Sequence, residues 1–347
     1  MRSMDKLLFP FWEGNTAYDE SVMFLSENGE TPWASLFFEP AEILRVCSTD
    51  YETEYVKGID WEEVDGRLYL LEGTTIPSMK KEELHFYSDE TKDCFPAKDG
   101  GKILCKGAGY FHQRQALVTY RHQGQWKPSK SILGSRALEN AKKKIEENKN
   151  ITICFYGDSI TAGCDSSGRM KVEPFMESWP QLITAEIEKK YGCEIQYVNT
   201  AVGGKLSDWG LENVQERVVA YNPDVVVLAF GMNDGTEQVS PEEFKHNIMG
   251  MKEQILKNSS STEFILIATT VANAESVFDG RQREYRDVLA ECLNPGDILV
   301  NMTEVHDALL SRKKFCDMTG NNINHPNDYL VRVYAQVILQ LIQEAMQ

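Results

Sequence analysis

The chain has 347 residues, of which 42% are hydrophobic and 26% are charged, and its formal net charge is −17. This length allows two ordinary domains. A strongly acidic chain lacks the basic surface that nucleic acids and anionic membranes require, so we expect neither as its main partner.

No apolar run approaches the length that spans a bilayer. The first residues also lack the apolar core of a signal peptide, because Pro10, Trp12 and Glu13 interrupt it. The eight cysteines are scattered, without the paired short spacings of a zinc site. These features favour a cytoplasmic protein.

The first part of the chain, residues 1–135, is a series of short strand-like runs separated by turn-prone stretches. The clearest runs are 42–47, 51–58, 67–73, 83–87 and 116–122. No long helical period lies between them. This pattern predicts a small all-β sandwich of the jelly-roll kind, which we interpret as an accessory domain.

Residues 136–150 are polar and helix-prone, and we interpret them as a connector. Apolar strand-like runs then follow at 151–157, 195–201, 224–231, 263–270 and 297–302. Helical patterns separate them, at 179–192, from Ser240 onward and from about Asp328 onward. The alternation predicts an α/β domain over residues 151–347, with a doubly wound parallel sheet.

Ligands of an open parallel sheet bind beyond the carboxyl ends of its strands, so the residues after each run are informative. Three runs are followed by GDSIT (157–161), NTAVGG (199–204) and GMND (231–234), and HPND (325–328) precedes the last helix. One hydroxyl, a glycine pair, an amide and a histidine thus meet at one edge of the sheet. Acyl transfer requires such a set of nucleophile, base and oxyanion donors.

In order and spacing, these four motifs resemble the blocks of the SGNH (GDSL-type) serine hydrolases, over about residues 150–347. The resemblance implies a flavodoxin-like fold and an ester hydrolase that needs no cofactor or metal. It implies that Ser159 is the nucleophile and His325 its base. It also implies three oxyanion donors: the backbone N–H groups of Ser159 and Gly204 and the side-chain amide of Asn233.

One position departs from the family pattern. The family commonly has an aspartate three residues before the histidine, where it orients the imidazole, and this chain has Asn322. We favour a Ser–His dyad in which a backbone carbonyl orients His325. The Asn322 amide oxygen is one alternative, and Asp317, eight residues before the histidine, is another.

The strand-rich first part, placed before an SGNH domain, resembles the second carbohydrate esterase family, whose members remove acetyl groups from sugars. The expected substrate is therefore an acyl ester of a small molecule or oligosaccharide. Trp179 and Trp209 are candidates to stack on a sugar ring, although core packing is the other interpretation of both.

Three other functions stay open. The first is a short-chain lipase or thioesterase of the same superfamily, and the second is a catalytically degenerate sugar-binding protein. The third is a metal-dependent phosphoesterase that would use Asp158, Asn233, Asp234 and His325, although the further His and Asp clusters of such sites are missing. The sequence leaves the oligomeric state open.

Overall fold

The structure is a computed structural model that describes residues 4–89, 91–128 and 130–347. Its amino-terminal part consists mainly of short strands. They are β1 (Thr16–Val22), β2 (Phe24–Ser26), β3 (Trp33–Ser35), β4 (Pro40–Ser48), β5 (Glu54–Tyr55), β6 (Trp61–Val64), β7 (Arg67–Leu70), β8 (Ser78–Lys80), β9 (His85–Phe86), β10 (Cys94–Pro96), β11 (Lys102–Leu104) and β12 (Ala116–His122). Helices α1 (Met4–Leu7) and α2 (Lys81–Leu84) are single turns.

In the described residues these strands form three small sheets, with the orders β1-β12-β4-β5, β6-β7-β3-β2-β8 and β10-β11-β9. Pairing is antiparallel except between β2 and β8. The predicted strand at 83–87 is wrong in its first half, since residues up to Leu84 form α2. The Glu83 carboxylate accepts a hydrogen bond from the backbone N–H of Lys80 and so starts a helical turn there. The jelly-roll topology stays a prediction.

The second part alternates strands and helices. Its strands are β13 (Ile132–Leu133), β14 (Ile151–Gly157), β15 (Ile195–Asn199), β16 (Val225–Ala229), β17 (Glu263–Ala268) and β18 (Ile298–Asn301). Its helices are α3 (Glu139–Glu146), α4 (Ser167–Met170), α5 (Trp179–Tyr191), α6 (Ser207–Arg217), α7 (Met232–Thr236), α8 (Pro241–Asn258), α9 (Tyr285–Glu291), α10 (Met302–Leu310) and α11 (Asp328–Ala345).

The five predicted apolar runs form the parallel part of one sheet, with the order β15-β14-β16-β17-β18. This is the flavodoxin-like order, and the α/β prediction is confirmed. Strand β13 adds to the edge, antiparallel to β18. The large sheet therefore begins at Ile132, within the predicted accessory domain, while the division into two domains stays a prediction.

Side chains of the parallel strands alternate between two cores, one on each face of the sheet. Along β14, for example, Ile153 and Phe155 face the core covered by α5, α10 and α11, whereas Cys154 and Tyr156 face the core covered by α6, α8 and α9. The near-continuous apolar runs in the sequence are explained by this burial, because both faces of each strand are covered. In the described part of the chain, no helix is long and apolar enough to cross a membrane.

The amino-terminal strands pack against the second part through buried polar contacts as well as apolar ones. Lys313, which follows α10, makes a buried ion pair with Glu20 of β1 at 2.7 Å. Arg332 of α11 donates to the backbone carbonyls of Tyr18 and Asp19. Buried charges are stable only when paired in this way, so these contacts fix the position of the small sheets on the large one.

Candidate active site

Ser159 lies in the turn that leaves β14, at the carboxyl edge of the sheet. Its backbone is held by the turn itself: the carbonyl of Ser159 accepts from Cys164 N–H, and the Asp158 carboxylate accepts from Ile160 N–H at 2.9 Å. The residue is 6% exposed. The side chain is thus presented from a hydrogen-bonded turn, which suits the predicted nucleophile.

His325 reaches Ser159 from the loop before α11. The side chain of Asn321 shapes this loop, because its oxygen accepts backbone N–H groups from Ile323, Asn324 and His325. The loop places His325 Nε2 at 2.9 Å from Ser159 Oγ. This is the distance at which a histidine takes the proton of a serine hydroxyl.

The other ring nitrogen of His325 contacts Asp165, which sequence analysis did not single out. His325 Nδ1 and Asp165 Oδ2 are 2.6 Å apart, and both side chains are largely shielded from solvent. An ionised carboxylate only accepts hydrogen bonds, so Nδ1–H donates to Asp165 and Nε2 is left to accept from Ser159. The three side chains form a continuous Ser–His–Asp chain.

This contact corrects the prediction about what orients His325. A carboxylate holds the ring, so the predicted role of a backbone carbonyl is wrong. The Asn322 side chain lies elsewhere, since its Nδ2 donates to Leu104 O at 3.2 Å. The backbone carbonyl of Asn322 accepts from Asn273 Nδ2. Asp317 is buried away from the ring, where it accepts from the backbone N–H groups of Met23 and Lys314.

Asp165 comes from an unexpected part of the sequence. It lies six residues after Ser159 in the chain and 160 before His325, so no short spacing marks it as the histidine's partner. Its backbone has a positive φ of 63°. Gly320 makes room for it, since a Cβ there would lie 2.5 Å from Asp165 Cβ. The available signal was only its position in the loop after the first parallel strand.

Two of the predicted oxyanion donors lie on neighbouring turns. Gly204 has a φ of +74°, a conformation that favours glycine over other residues. A Cβ built on the neighbouring Gly203 would lie 3.5 Å from Ser159 Cβ, so this turn runs close to Ser159. Asn233 is half-buried at the start of α7, and its Nδ2 donates to Lys205 O at 3.1 Å. This bond holds the Asn233 amide beside the turn that contains Gly203 and Gly204. The role of Gly204 and Asn233 as donors stays a prediction.

Of the two residues predicted to stack on a sugar, Trp179 cannot do so, because no part of its side chain is accessible. It is fully buried, donates from Nε1 to Ile160 O at 3.0 Å and packs on Phe155 and Tyr334. Trp179 therefore holds the turn after Ser159 from the core side, through its hydrogen bond to Ile160. Trp209 is half-buried on α6 beside Lys205, and its contact with a sugar stays a prediction.

The acidic residues of the GDSIT and GMND motifs, Asp158 and Asp234, are buried and hydrogen-bonded to neighbouring groups of the protein. Asp158 is fully buried, and burial raises its pKa to about 7, with backbone N–H groups of Ile160 and Met232 acting in the opposite direction. Asp234 accepts from the backbone and hydroxyl of Ser207, and burial raises its pKa as well. Among the described residues, no group of three or more His, Cys, Asp or Glu side chains is placed to hold a metal ion.

The buried Asp158 predicts a pH dependence of stability. Its pKa is about 7 in the folded protein and 3.8 ordinarily, so between these values the folded state keeps a proton that the unfolded state has lost. Its contribution is present at low pH and is lost as the pH rises through about 7. Asp158→Asn, which mimics the protonated form, should therefore raise the melting temperature relative to wild type more at pH 8 than at pH 5.

Thermal melts of both proteins at the two pH values measure this difference. Asp89→Asn removes a carboxylate from an exposed position and serves as the control, with the same difference from wild type at both pH values. A difference between Asp158→Asn and wild type that does not change with pH would show that Asp158 is ionised throughout.

Comparison with known proteins gives a family match over this same region. The model of the GDSL-like Lipase/Acylhydrolase family matches residues 155–330, which include Ser159, Asp165 and His325. A curated arylesterase from Vibrio mimicus is 26% identical over 95 residues, which are 27% of this chain and 44% of the relative.

Solved structures share the fold. A two-domain esterase active on acetylated mannans superposes with a TM-score of 0.51 at 19% identity, over 60% of this chain and 53% of that one. The same kind of two-domain esterase co-crystallised with mannopentaose gives a TM-score of 0.51 at 18% identity, over 61% and 55%. The chain thus spans about half the length of these relatives.

Proposed function

Because this chain belongs to the GDSL-like lipase/acylhydrolase family, we propose that it hydrolyses carboxylic esters through an acyl-enzyme on Ser159. The observation that carries the proposal is the hydrogen-bond chain from Ser159 Oγ through His325 to Asp165, at 2.9 and 2.6 Å. Serine, histidine and aspartate in this arrangement supply a nucleophile, a base and a group that holds the base in the useful tautomer.

In the first half-reaction, Ser159 Oγ attacks the ester carbonyl while its proton moves to His325 Nε2. The Asp165 carboxylate stabilises the imidazolium that forms and keeps Nδ1–H pointed at itself. The backbone N–H groups of Ser159 and Gly204 and the Asn233 amide bind the developing oxyanion. The tetrahedral intermediate then collapses, and Nε2–H protonates the leaving alcohol.

In the second half-reaction, water replaces the alcohol. His325 Nε2 takes a proton from the water as it attacks the acyl-enzyme, and the same donors bind the second oxyanion. Collapse of this intermediate returns the proton from Nε2 to Ser159 Oγ and releases the carboxylic acid. The chain thereby regains its starting hydrogen bonds.

The finer proposal is that the acyl group is acetyl and the alcohol is a carbohydrate. A polar groove of about 460 Å³ lies beside the segment that follows Ser159, where Ala162 and Ser166 form part of its wall. Its other lining residues include Arg169, Glu177, Gln181, Tyr197 and Asn199. Amide, charged and phenolic groups suit a ligand rich in hydroxyls, and the fold neighbour active on acetylated mannans supports the same substrate class.

A comparison of esters tests this proposal. We expect kcat/KM to be higher on acetyl than on butyryl or octanoyl p-nitrophenyl esters, in keeping with the activity of the fold neighbour on acetylated mannans. We also expect acetate release from acetylated oligosaccharides. Tyr197, which is 36% exposed at the groove, should contribute to the sugar site. Tyr197→Ala should raise KM on an acetylated oligosaccharide and leave p-nitrophenyl acetate hydrolysis unchanged.

Greater efficiency on octanoyl than on acetyl esters would replace the deacetylase proposal with a lipase or thioesterase function. Binding of acetylated sugars without acetate release would indicate a degenerate sugar-binding protein. The Asp165 contact supports hydrolysis over that alternative, because it supplies a carboxylate for His325 although the family position before the histidine has none.

A further inference from the structure

The two side chains that complete the proposed catalytic chain lie in segments outside the strands of the large sheet. Asp165 lies in the segment 160–175, which contains the single turn of α4 and which we name the acid loop. His325 lies in the histidine loop, residues 316–327. The two loops meet through the 2.6 Å contact between His325 Nδ1 and Asp165 Oδ2. A hydrogen bond of this kind is lost if either loop shifts by about 1 Å, and such shifts are costly in catalysis.

Both loops rest on one segment of the amino-terminal part, residues 104–115, which we name the brace. On the histidine-loop side, the buried Gln115 donates from Nε2 to the carbonyls of Cys316 and Thr319, at 2.7 and 2.9 Å. Its Oε1 accepts from Asn327 Nδ2 at 2.9 Å. Gln115 thereby ties both ends of the histidine loop, and Leu104 O accepts from Asn322 near its middle.

On the acid-loop side, the brace touches Asp165 itself. A Cβ built on Gly107 would lie 2.8 Å from Asp165 Oδ1, so the Gly107 backbone packs against the carboxylate. At the other end of the loop, His112 Nε2 bonds to Glu173 O at 2.8 Å. The His112 side chain is buried, so this bond is shielded from water.

We propose that the brace is a positioning element: it sets the acid loop and the histidine loop at the separation that closes the Ser159–His325–Asp165 chain. The amino-terminal part would then serve catalysis directly, in addition to any contact with substrate. The inference deepens the proposed function and rests on it for its kinetic test. Gly107 acts through Asp165, because the absence of a Cβ leaves room for the carboxylate in line with Nδ1.

Gly107→Ala tests the brace with a small change. The Gly107 backbone lies outside the left-handed region, so alanine fits it, and the atom that must give way is the end of the Asp165 side chain. We expect kcat on an acetyl ester to fall roughly 10- to 100-fold with KM nearly unchanged. In an Asp165→Asn background the same substitution should cost nothing further, because the two changes act on one contact.

Gly101→Ala is the matched control. It also lies in the amino-terminal part outside the left-handed region, and its Cβ would meet a side-chain atom, His85 Nε2, at 2.7 Å, but it does not contact the acid loop. We expect its kcat to match wild type. Melting temperatures of all variants separate a local effect from unfolding. If Gly107→Ala does not fold, His112→Phe should lower kcat and His112→Gln, which keeps a donor for Glu173 O, should restore it.

A readout independent of ester hydrolysis is the NMR resonance of the His325 Nδ1 proton, which a short hydrogen bond to a carboxylate moves far downfield. Gly107→Ala should shift or remove this resonance, and Gly101→Ala should retain it. An unchanged resonance together with wild-type kcat in Gly107→Ala would overturn the brace. A changed resonance in a chain that hydrolyses no ester would keep the brace and refute the proposed function.

Discussion

Ser159→Ala and His325→Ala are each expected to remove nearly all ester hydrolysis, by about 10⁴-fold or more in kcat. A 2.9 Å hydrogen bond joins the two side chains, and in the proposed mechanism neither works without the other. The double variant should therefore be little worse than either single variant. Steady-state kinetics on p-nitrophenyl acetate measure this, with Ser260→Ala, at an exposed position, as a control that keeps full activity.

More than roughly a tenth of wild-type kcat in Ser159→Ala would contradict the mechanism, because loss of a true nucleophile costs orders of magnitude. The mechanism would also be contradicted if the loss of activation free energy in the double variant equalled the sum of the two single losses, since Ser159 and His325 would then act separately.

Asp165→Asn is the second substitution with a large expected effect. Asparagine tolerates the positive φ of this position and has nearly the same shape, so the fold should be retained. The charge that stabilises the imidazolium is lost, and the amide is free to turn an N–H toward Nδ1 and favour the wrong tautomer. We expect kcat to fall by about 10²- to 10⁴-fold with little change in KM; the upper value is the loss seen when the corresponding aspartate of a serine protease triad becomes asparagine.

The comparison variant is Asn322→Gly, at the position where the family pattern places the aspartate. Glycine accepts its φ of 64°, and the side chain it removes faces Leu104 and Asn273. The loss in kcat should stay below about tenfold, because Asn322 does not touch the ring and makes one of the four named hydrogen bonds between the brace and the histidine loop, while Gln115 makes the other three. A large loss at position 322 with a small one at 165 would assign the orienting role to Asn322 instead.

Much of the catalytic half of the fold could be predicted from sequence because its signals are local. Each parallel strand is a continuous apolar run, as in 151–157, and Ser240 with Pro241 marks the start of α8, where Ser240 Oγ accepts from Glu243 N–H. Ser159 and His325 followed from motifs at fixed places relative to these elements. The structure brings their side chains together.

The third member of the chain could not be found in this way, because its partner lies 160 residues away. The family pattern marks only the residues just before His325, and there Asn322 and Asp317 are engaged with other groups. The predicted sugar-stacking role of Trp179 was wrong for a different reason. Its burial results from the packing of α5 against α11. Apolar residues at four-residue spacing in the sequence do not distinguish such a core position from one that faces a ligand.

The most direct test of the central claim is to treat the chain with a fluorophosphonate and locate the adduct by mass spectrometry. We expect one adduct, on the peptide that contains Ser159, with loss of esterase activity in proportion to labelling and no effect of a chelator. Labelling should be greatly slowed in His325→Ala. Full activity in a labelled protein, an adduct on another residue that accounts for the inactivation, or inactivation by the chelator alone would contradict the claim.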